Sequence, residues 1–478
     1  MISFKNFSYK YLSSEKINID NLSLDIKKGE CVLFTGNSGS GKTSILRLIN
    51  GLSPSYFNGG YSGEFKVAHL KIGDSLSEFS KVVGSVFQNP KNQFFHLDST
   101  SELAFSMENY GASREEILQR IEKVAREFDA EHLLNREILT LSGGEKQRLA
   151  FMASMMMQAE IFVLDEITSN LDLKGIKLIS KIIKKLKDAG KTIIIAEHRI
   201  YYLKDIIDRM FIIKDGKILK EISKVELENF DGSCLNTRQI DLKKVELKEK
   251  TKIAKKNNYL HIKRLEYKVA NKKITIKDES FDSKKVYTII GENGCGKTTF
   301  ANALTGLKND AQEIYLNGKL LKKKTDLLKN TFQVMQDVNY QLFSNKVETE
   351  IKIGLNDFTN FDTIVEKLKI NNYLDRHPNT LSGGEKQRTA VASALLSEKK
   401  ILIFDEPTSG LDYQNMRQLV ELLDEVKLKD VVIFIITHDY EFLCNVSDEV
   451  LYFDNNGLKK RIDVTKENKE EIFKLLND

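Results

Sequence analysis

The stretch CVLFTGNSGSGKTSILRLINGL, residues 31–52, decides the fold. Its opening CVLF is apolar, as a buried strand requires, and its closing SILRLINGL places apolar residues at helical spacing. Between them lies GNSGSGKT, 36–43. A glycine-rich turn between strand and helix lets backbone N–H groups converge on phosphate, and the helix N-terminus adds its partial positive charge. Gly36, Asn37, Ser38, Gly39, Ser40 and Gly41 are expected to line a phosphate chain. Lys42 would reach the β- and γ-phosphates, and the Thr43 hydroxyl would ligate Mg2+. The same context surrounds GENGCGKT, 291–298, which follows VYTII and precedes TFANALTGL. Gly291, Glu292, Asn293, Gly294, Cys295, Gly296, Lys297 and Thr298 are therefore given the same roles.

The second copy belongs to a repeat that covers the chain. ISFKNFSYKY (2–11) overlays LHIKRLEYKV (260–269) with an offset of 258, which falls to 255 at the glycine-rich loops. It is 240 at the octapeptide LSGGEKQR, which begins at Leu141 and again at Leu381, and it holds at 240 to His198 and His438. Two copies of one domain differing by loop deletions explain this. The domains are placed at 1–229 and 259–478, with 230–258 as a tether. DLKKVELKEKTKIAKKNN within the tether has seven lysines against three acids and reads as exposed. A shortening from Phe65–Asp74 to Glu313–Lys319 is expected to locate part of the deletion.

Composition agrees with two cores. The chain has 478 residues, 41% of them hydrophobic, and a net charge of +5, which gives no basic footprint of a nucleic-acid binder. Its apolar runs are too short to span a bilayer, and Met1–Tyr11 has no signal-peptide core, so a soluble chain in the cytosol is expected. Cys31, Cys234, Cys295 and Cys444 lack metal or disulfide spacing.

IFVLDE (161–166) and ILIFDE (401–406) each end four apolar residues with two acids. This is a buried strand of a parallel sheet delivering carboxylates at its C-terminal edge, where α/β folds bind ligands. Asp165 and Asp405 would hold the metal, and Glu166 and Glu406 would polarise the water attacking the γ-phosphate.

Glycine-rich loop, LSGGEKQR, DE-x-T-S-x-LD and a histidine 33 residues after the aspartate together resemble the ATPases of ABC transporters, once in each half. The resemblance implies two P-loop NTPase (RecA-like) α/β domains, each with an antiparallel β region and a helical signature subdomain, using ATP and Mg2+. It implies that Ser142, Gly143 and Gly144 serve the ATP on Lys297, and Ser382, Gly383 and Gly384 the ATP on Lys42, so that the two domains pair head to tail within one chain. Gln88 and Gln336 resemble Q-loop glutamines that sense metal and water. His198 and His438 resemble the switch histidines, Asp172 and Asp412 the D-loop aspartates, and Tyr11 stands where the family stacks an aromatic on adenine. Departures are Ile167 in place of the proline seen at Pro407, SNLD against SGLD, and Val269 opposite Tyr11. Neither half has lost its Lys, Gln, Ser, Asp, Glu or His, so both sites should hydrolyse ATP.

NPKNQFF and DVNYQLF, after the Q-loop glutamines, and AEHRIYYLKD resemble energy-coupling-factor (ECF) transporters, importers of vitamins or trace metal ions. That resemblance implies a peripheral subunit on the cytoplasmic face of the membrane, driving a transmembrane coupling subunit and a small substrate-binding membrane subunit, with no nucleic acid as partner. Phe94, Phe95, Leu342 and Phe343 would then be partly exposed. The alternatives are a soluble tandem ATPase acting on ribosomes or DNA and a sugar-import tandem ATPase. Cys295 reads first as a small residue suited to a core, while its place at a helix start that favours thiolate makes alkylation, with MgATP protecting, the sharper expectation.

Overall fold

Alternation along each strand explains the layers. In β3 (Cys31–Thr35), Val32 and Phe34 face one side and Cys31 and Leu33 the other, all fully buried. β7 (Ile161–Asp165) and β8 (Thr192–Ala196) do likewise. Ile161, Val163 and Ile194 join one core with Val32, while Phe162, Leu164, Ile193 and Ile195 join the other with Leu33. A strand buried on both faces must be apolar at every position, which is why these segments read as runs. Each such side chain contributes roughly 1.5–3 kcal/mol through burial.

The computed structural model describes residues 1–169, 171, 173–249, 257, 259–270, 272–308, 311–355 and 357–477. The chain divides into two compact units, Met1–Asp241 and Leu242–Asp478. The first has a four-stranded antiparallel sheet of β1 (Ile2–Tyr11), β2 (Ile19–Ile26), β4 (Gly59–Val67) and β5 (Leu70–Lys71), ordered β2-β1-β4-β5. Its six-stranded sheet adds β6 (Val83–Val86), β9 (Arg209–Lys214) and β10 (Lys217–Ser223) in the order β10-β9-β3-β8-β7-β6, parallel except at β10. The helix Lys42–Ile49 packs Ile45, Leu46, Leu48 and Ile49 into the core that β1 shares with the larger sheet.

The second unit repeats this. β11 (Leu260–Val269), β12 (Lys272–Phe281), β14 (Ala311–Leu316) and β15 (Lys319–Leu321) form the smaller sheet, ordered β12-β11-β14-β15. β13 (Lys285–Gly291), β16 (Thr331–Val334), β17 (Ile401–Asp405), β18 (Val432–Ile436), β19 (Glu449–Asp454) and β20 (Gly457–Asp463) form the larger, ordered β16-β17-β18-β13-β19-β20.

The structure alters two expectations about where the copies differ. The stretch 230–241 belongs to the first unit: Phe230 and Ile240 lie in its core, and Thr237 and Arg238 are buried. Val245 is buried in the second unit, where Lys248 N–H donates to the Cys444 carbonyl. Phe230, Ile240 and Val245 hold the described part of the tether down, which the charge count concealed; 250–256 and 258 lie outside the described residues. The deletion also moves. Ile2 pairs Val67 and Leu260 pairs Leu316, and the two hairpins that follow match, so the shortening expected there lies instead between the P-loop helix and β4 or β14, where the offset falls from 255 to 249. There the first unit has the short helix Leu52–Ser55. The helical subdomain shrinks too: Ser99–Asn109 and Arg114–Glu127 have 11 and 14 residues, against 6 and 7 in Val347–Lys352 and Phe361–Lys367.

Candidate functional site

Each site grows from the C-terminal edge of its parallel sheet. β3 delivers the glycine loop, β7 the Asp165–Glu166 pair, β8 the segment reaching His198, and β6 leads to Gln88. Gly36 has φ +138° with the Ile213 carbonyl 2.1 Å from where a Cβ would stand, and Gly291 has φ +148° with the Phe453 carbonyl at 2.2 Å. Only glycine fits where the loop leaves the strand so close to a neighbouring backbone. Lys42 Nζ donates to the carbonyls of Gly36 and Asn37, both at 2.9 Å. Lys297 Nζ donates to Gly291 at 2.7 Å and Glu292 at 2.8 Å. Each ammonium is thus buried within its own loop, satisfied by carbonyls, and positioned beside the converging N–H groups.

The residues expected around the metal come together. Thr43 Oγ1 is 3.4 Å from Asp165 Oδ1, and Thr298 Oγ1 donates to Asp405 Oδ2 at 2.8 Å. A hydroxyl beside a carboxylate suits Mg2+, which takes hard oxygen ligands and keeps sites open for water and substrate phosphates. Among the described residues no group of three or more His, Cys, Asp or Glu side chains is placed to hold a metal ion. Burial, reinforced by the neighbouring Glu166, pushes the Asp165 carboxyl up to about 7. Burial pushes Asp405 up to about 6, with the Thr298 hydroxyl acting in the opposite sense. A bound divalent cation would favour the ionised forms.

Glu166 and Glu406 both adopt left-handed backbone, φ +45° and +49°. Non-glycine residues rarely do so, at a cost of about 1–2 kcal/mol, and such strain concentrates at functional positions. Their N–H groups still pair with the adjacent strand, at Ala196 O (2.8 Å) and Ile436 O (2.9 Å). Gln88 Nε2 donates to Glu166 Oε2 at 2.5 Å, and His198 Nε2 lies 3.1 Å from Glu166 Oε1. In the second unit His438 Nε2 is 3.9 Å from Glu406 Oε1, and Gln336 is exposed at the end of β16.

LSGGE has a local structural meaning that the sequence reading overlooked. Ser142 and Ser382 are N-caps of the helices Gly143–Met155 and Gly383–Leu396, and each forms a capping box with Glu145 or Glu385. The S-x-x-E spacing was the available signal. Ser142, Gly143, Ser382 and Gly383 are exposed, so each helix start faces outward. Tyr11 is half-buried with its hydroxyl 3.1 Å from Ser44 Oγ on the P-loop helix, and Val269 packs against Gly296. Asp172 and Asn170 lie outside the described residues. Asp412 is buried and caps the helix Tyr413–Lys427 by accepting from the Asn415 N–H, a structural role.

The thiol of Cys295 follows the core reading and not that of an alkylation site. It is 1% exposed within the core beneath the loop, and burial raises its pKa despite nearby Lys297. Desolvation outweighs the helix start, so the thiolate is disfavoured. The four apolar residues after the Q-loops divide. Phe95 and Phe343 are 76% and 77% exposed, Phe94 is half-buried, and Leu342 is buried against the core, contrary to expectation.

A repeated clip sets that division. Gln93 spans the Phe87 N–H and the Ser85 carbonyl, and Gln341 spans the Met335 N–H and the Gln333 carbonyl. Glu102, buried, accepts the N–H groups of Phe95 and His96, and Glu350 those of Phe343 and Ser344. These two glutamates were missed because their partners are backbone groups.

Strand, glycine loop, paired acids and histidine at one sheet edge, present twice, define a tandem P-loop ATPase. The family model for the ABC transporter matches residues 19–169 and 277–409. The chain belongs to this ABC transporter family, whose ATPase domains bind ATP with Mg2+ and hydrolyse it. It is 38% identical to a putative ABC transporter ATP-binding protein of Treponema denticola, over 99% of both chains. A putative ABC transporter ATP-binding protein of Saccharolobus solfataricus is 30% identical over 99% of this chain and 94% of its own. The fold is shared with the archaeal ribosome recycling factor aABCE1, solved in complex with ribosomal stalk protein aP1, at TM-score 0.69 and 20% identity, covering 98% of this chain and 92% of that one. A model of ribosome-bound archaeal Pelota and ABCE1 gives TM-score 0.73 at 20% identity, covering 98% and 80%.

Proposed function

We propose that this tandem ATPase is the energy-coupling subunit of an ECF-type membrane importer of vitamins or trace metal ions, docked on the cytoplasmic face. Phe95 and Phe343 carry the reading. Two large aromatics at equivalent positions stand in solvent, each fixed by the same glutamine and buried glutamate, and an aromatic held rigidly in water suits a partner's apolar groove or helix. The names of the full-length relatives support transport. Among the described residues no helix is long and apolar enough to cross a membrane, so the membrane-spanning parts would be separate chains.

Within the chain, the two units pair head to tail. Ser142 with its Gly143–Gly144 backbone completes the ATP site of Lys297, and Ser382 with Gly383–Gly384 that of Lys42. A serine hydroxyl and two N–H groups at a helix start bind phosphate weakly alone, but opposite a P-loop they complete its shell. ATP then closes the pair and hydrolysis releases it. Lys42 and Lys297 neutralise the phosphates, Thr43, Asp165, Thr298 and Asp405 hold Mg2+, and Gln88 and Gln336 sense it. Held by these residues, Mg2+ would supply neutralisation of the charge developing on the phosphate oxygens. Glu166 and Glu406 take the proton of the attacking water, with His198 and His438 at the γ-phosphate. Tyr11 stacks on adenine in the first site.

A second reading has its own observation. Two solved structures that share the whole tandem fold are of a ribosome recycling factor and of a ribosome-bound complex, which raises the alternative of a soluble ATPase acting on ribosomes. At 20% identity that likeness is one of fold. One experiment separates the two: affinity capture of the tagged chain from its own cells, against the Phe95→Asp/Phe343→Asp variant. Import predicts small hydrophobic membrane proteins captured by the parent and lost with the variant, while ATP binding persists. Co-sedimentation with ribosomes, unaffected by the variant, would overturn import in favour of the alternative.

A further inference from the structure

The two ATP sites differ beside their histidines. In the first unit the residue before His198 is Glu197, 2% exposed. Its Oε2 accepts the hydroxyls of Thr168 (2.8 Å) and Tyr202 (3.2 Å), and its Oε1 accepts the N–H of His198 (2.8 Å). The second unit has Thr437 there, and its carboxylate stands on the other side of the histidine. Asp439 Oδ2 accepts the Thr408 hydroxyl at 3.0 Å, the counterpart of Thr168. The tie to the D-E-x-T loop is therefore kept in both units but made from opposite sides of the histidine.

This relocation changes what holds the catalytic glutamate. With Glu197 occupying the His198 N–H, Glu166 faces the His198 ring and the Gln88 amide. With no acid at 437, the His438 N–H turns to Glu406 Oε1 (3.1 Å), and the Thr437 hydroxyl donates to Glu406 Oε2 (3.3 Å) while accepting the Asp439 N–H (3.1 Å). Glu406 is thus oriented by the segment that ends the neighbouring strand β18, groups that need not move for catalysis. Glu166 is held by the Gln88 amide with the His198 ring 3.1 Å away, side chains that must turn to phosphate and water before it can accept a proton.

We propose that Glu197 and the Thr437–Asp439 pair are positioning residues that make the two sites unequal, the second being preorganised and the faster. The proposal rests on the reading of Glu166 and Glu406 as catalytic carboxylates. A preorganised base spares the reorganisation that the first site needs at each turnover.

The test is a reciprocal exchange in the full chain, with one site read at a time after silencing the other by Glu406→Gln or Glu166→Gln. The second site should have a kcat about tenfold above the first, with KM for ATP alike. Glu197→Thr/Arg199→Asp, which writes the second unit's sequence into the first, should raise the first site's kcat toward the second without moving KM. Thr437→Glu/Asp439→Arg should lower the second site's kcat toward the first, and gives an independent result if the other exchange misfolds. Equal rates in the parent, an unchanged ratio after exchange, or a change confined to KM would overturn the proposal. If Glu166→Gln and Glu406→Gln together leave turnover intact, the underlying reading of the glutamates falls instead.

Discussion

Replacing Asp165 with Asn should stabilise the metal-free protein, and by more at pH 8 than at pH 5. Burial pushes this carboxyl from an ordinary value near 3.8 up to about 7. A group whose folded-state pKa exceeds its unfolded value favours folding below the unfolded value, and that contribution is lost as pH rises through the folded value. At pH 5 the buried carboxyl is still protonated; at pH 8 it is ionised against its surroundings. At 1.36 kcal/mol per unit, the two units between pH 5 and about 7 amount to roughly 2–3 kcal/mol. Asn cannot ionise, matches the shape and keeps an oxygen for the Thr43 hydroxyl. The stability difference, Asp165→Asn over parent, should therefore widen by about 2–3 kcal/mol between the two pH values, read from urea unfolding followed by circular dichroism. Asp405, pushed up to about 6, titrates one unit earlier, so Asp405→Asn should widen the gap by about half as much. An offset that is the same at both pH values would refute the burial argument.

Three further outcomes follow from other parts of the structure. Glu166→Gln combined with Glu406→Gln should slow hydrolysis by about 10²–10⁴-fold with ATP binding retained, since only proton acceptance is removed; turnover near the parent rate would remove both residues from the chemistry. Thiol reagents should label exposed Cys234 quickly and spare buried Cys295 until the chain unfolds, as peptide mapping would report, and fast loss of Cys295 with ATP protection would restore the activated-thiol reading. Glu102→Ala should destabilise the first unit by roughly 1–3 kcal/mol in urea unfolding, because two N–H groups lose their shared acceptor, and a loss below half a kcal/mol would mean that water replaces the clip.

Much of the site was legible because its chemistry is written locally. Strand, glycine loop and helix follow one another in 31–49, so GNSGSGKT could be placed without knowing any long-range contact. The run ILIF reads as a strand buried on both faces because every residue must be apolar there. What escaped notice depends on who meets whom across the fold. Glu197 sits in the quoted AEHRIYYLKD, yet nothing nearby says that its partners are Thr168 and Tyr202, so its role emerges only from distances. Glu102 and Glu350 serve backbone N–H groups, which carry no residue signature. Cys295 carried two readings because a helix start is visible in sequence and burial is not, and its burial decides for the core. Leu342 points inward while Phe343 points out, a one-residue phase that the repeat alone did not fix.

The pairing of each signature with the other unit's P-loop is the central claim, and Ser142→Asp tests it most directly. Asp caps a helix as well as Ser, so Gly143–Met155 should keep its start, while a carboxylate is placed where the account puts a γ-phosphate. Vanadate-trapped photoreactive ATP, mapped to the peptide that it labels, reads the two sites separately. With head-to-tail pairing, Ser142→Asp should abolish trapping at the peptide containing Lys297 and leave it at the peptide containing Lys42. Loss at Lys42 with retention at Lys297 would contradict it.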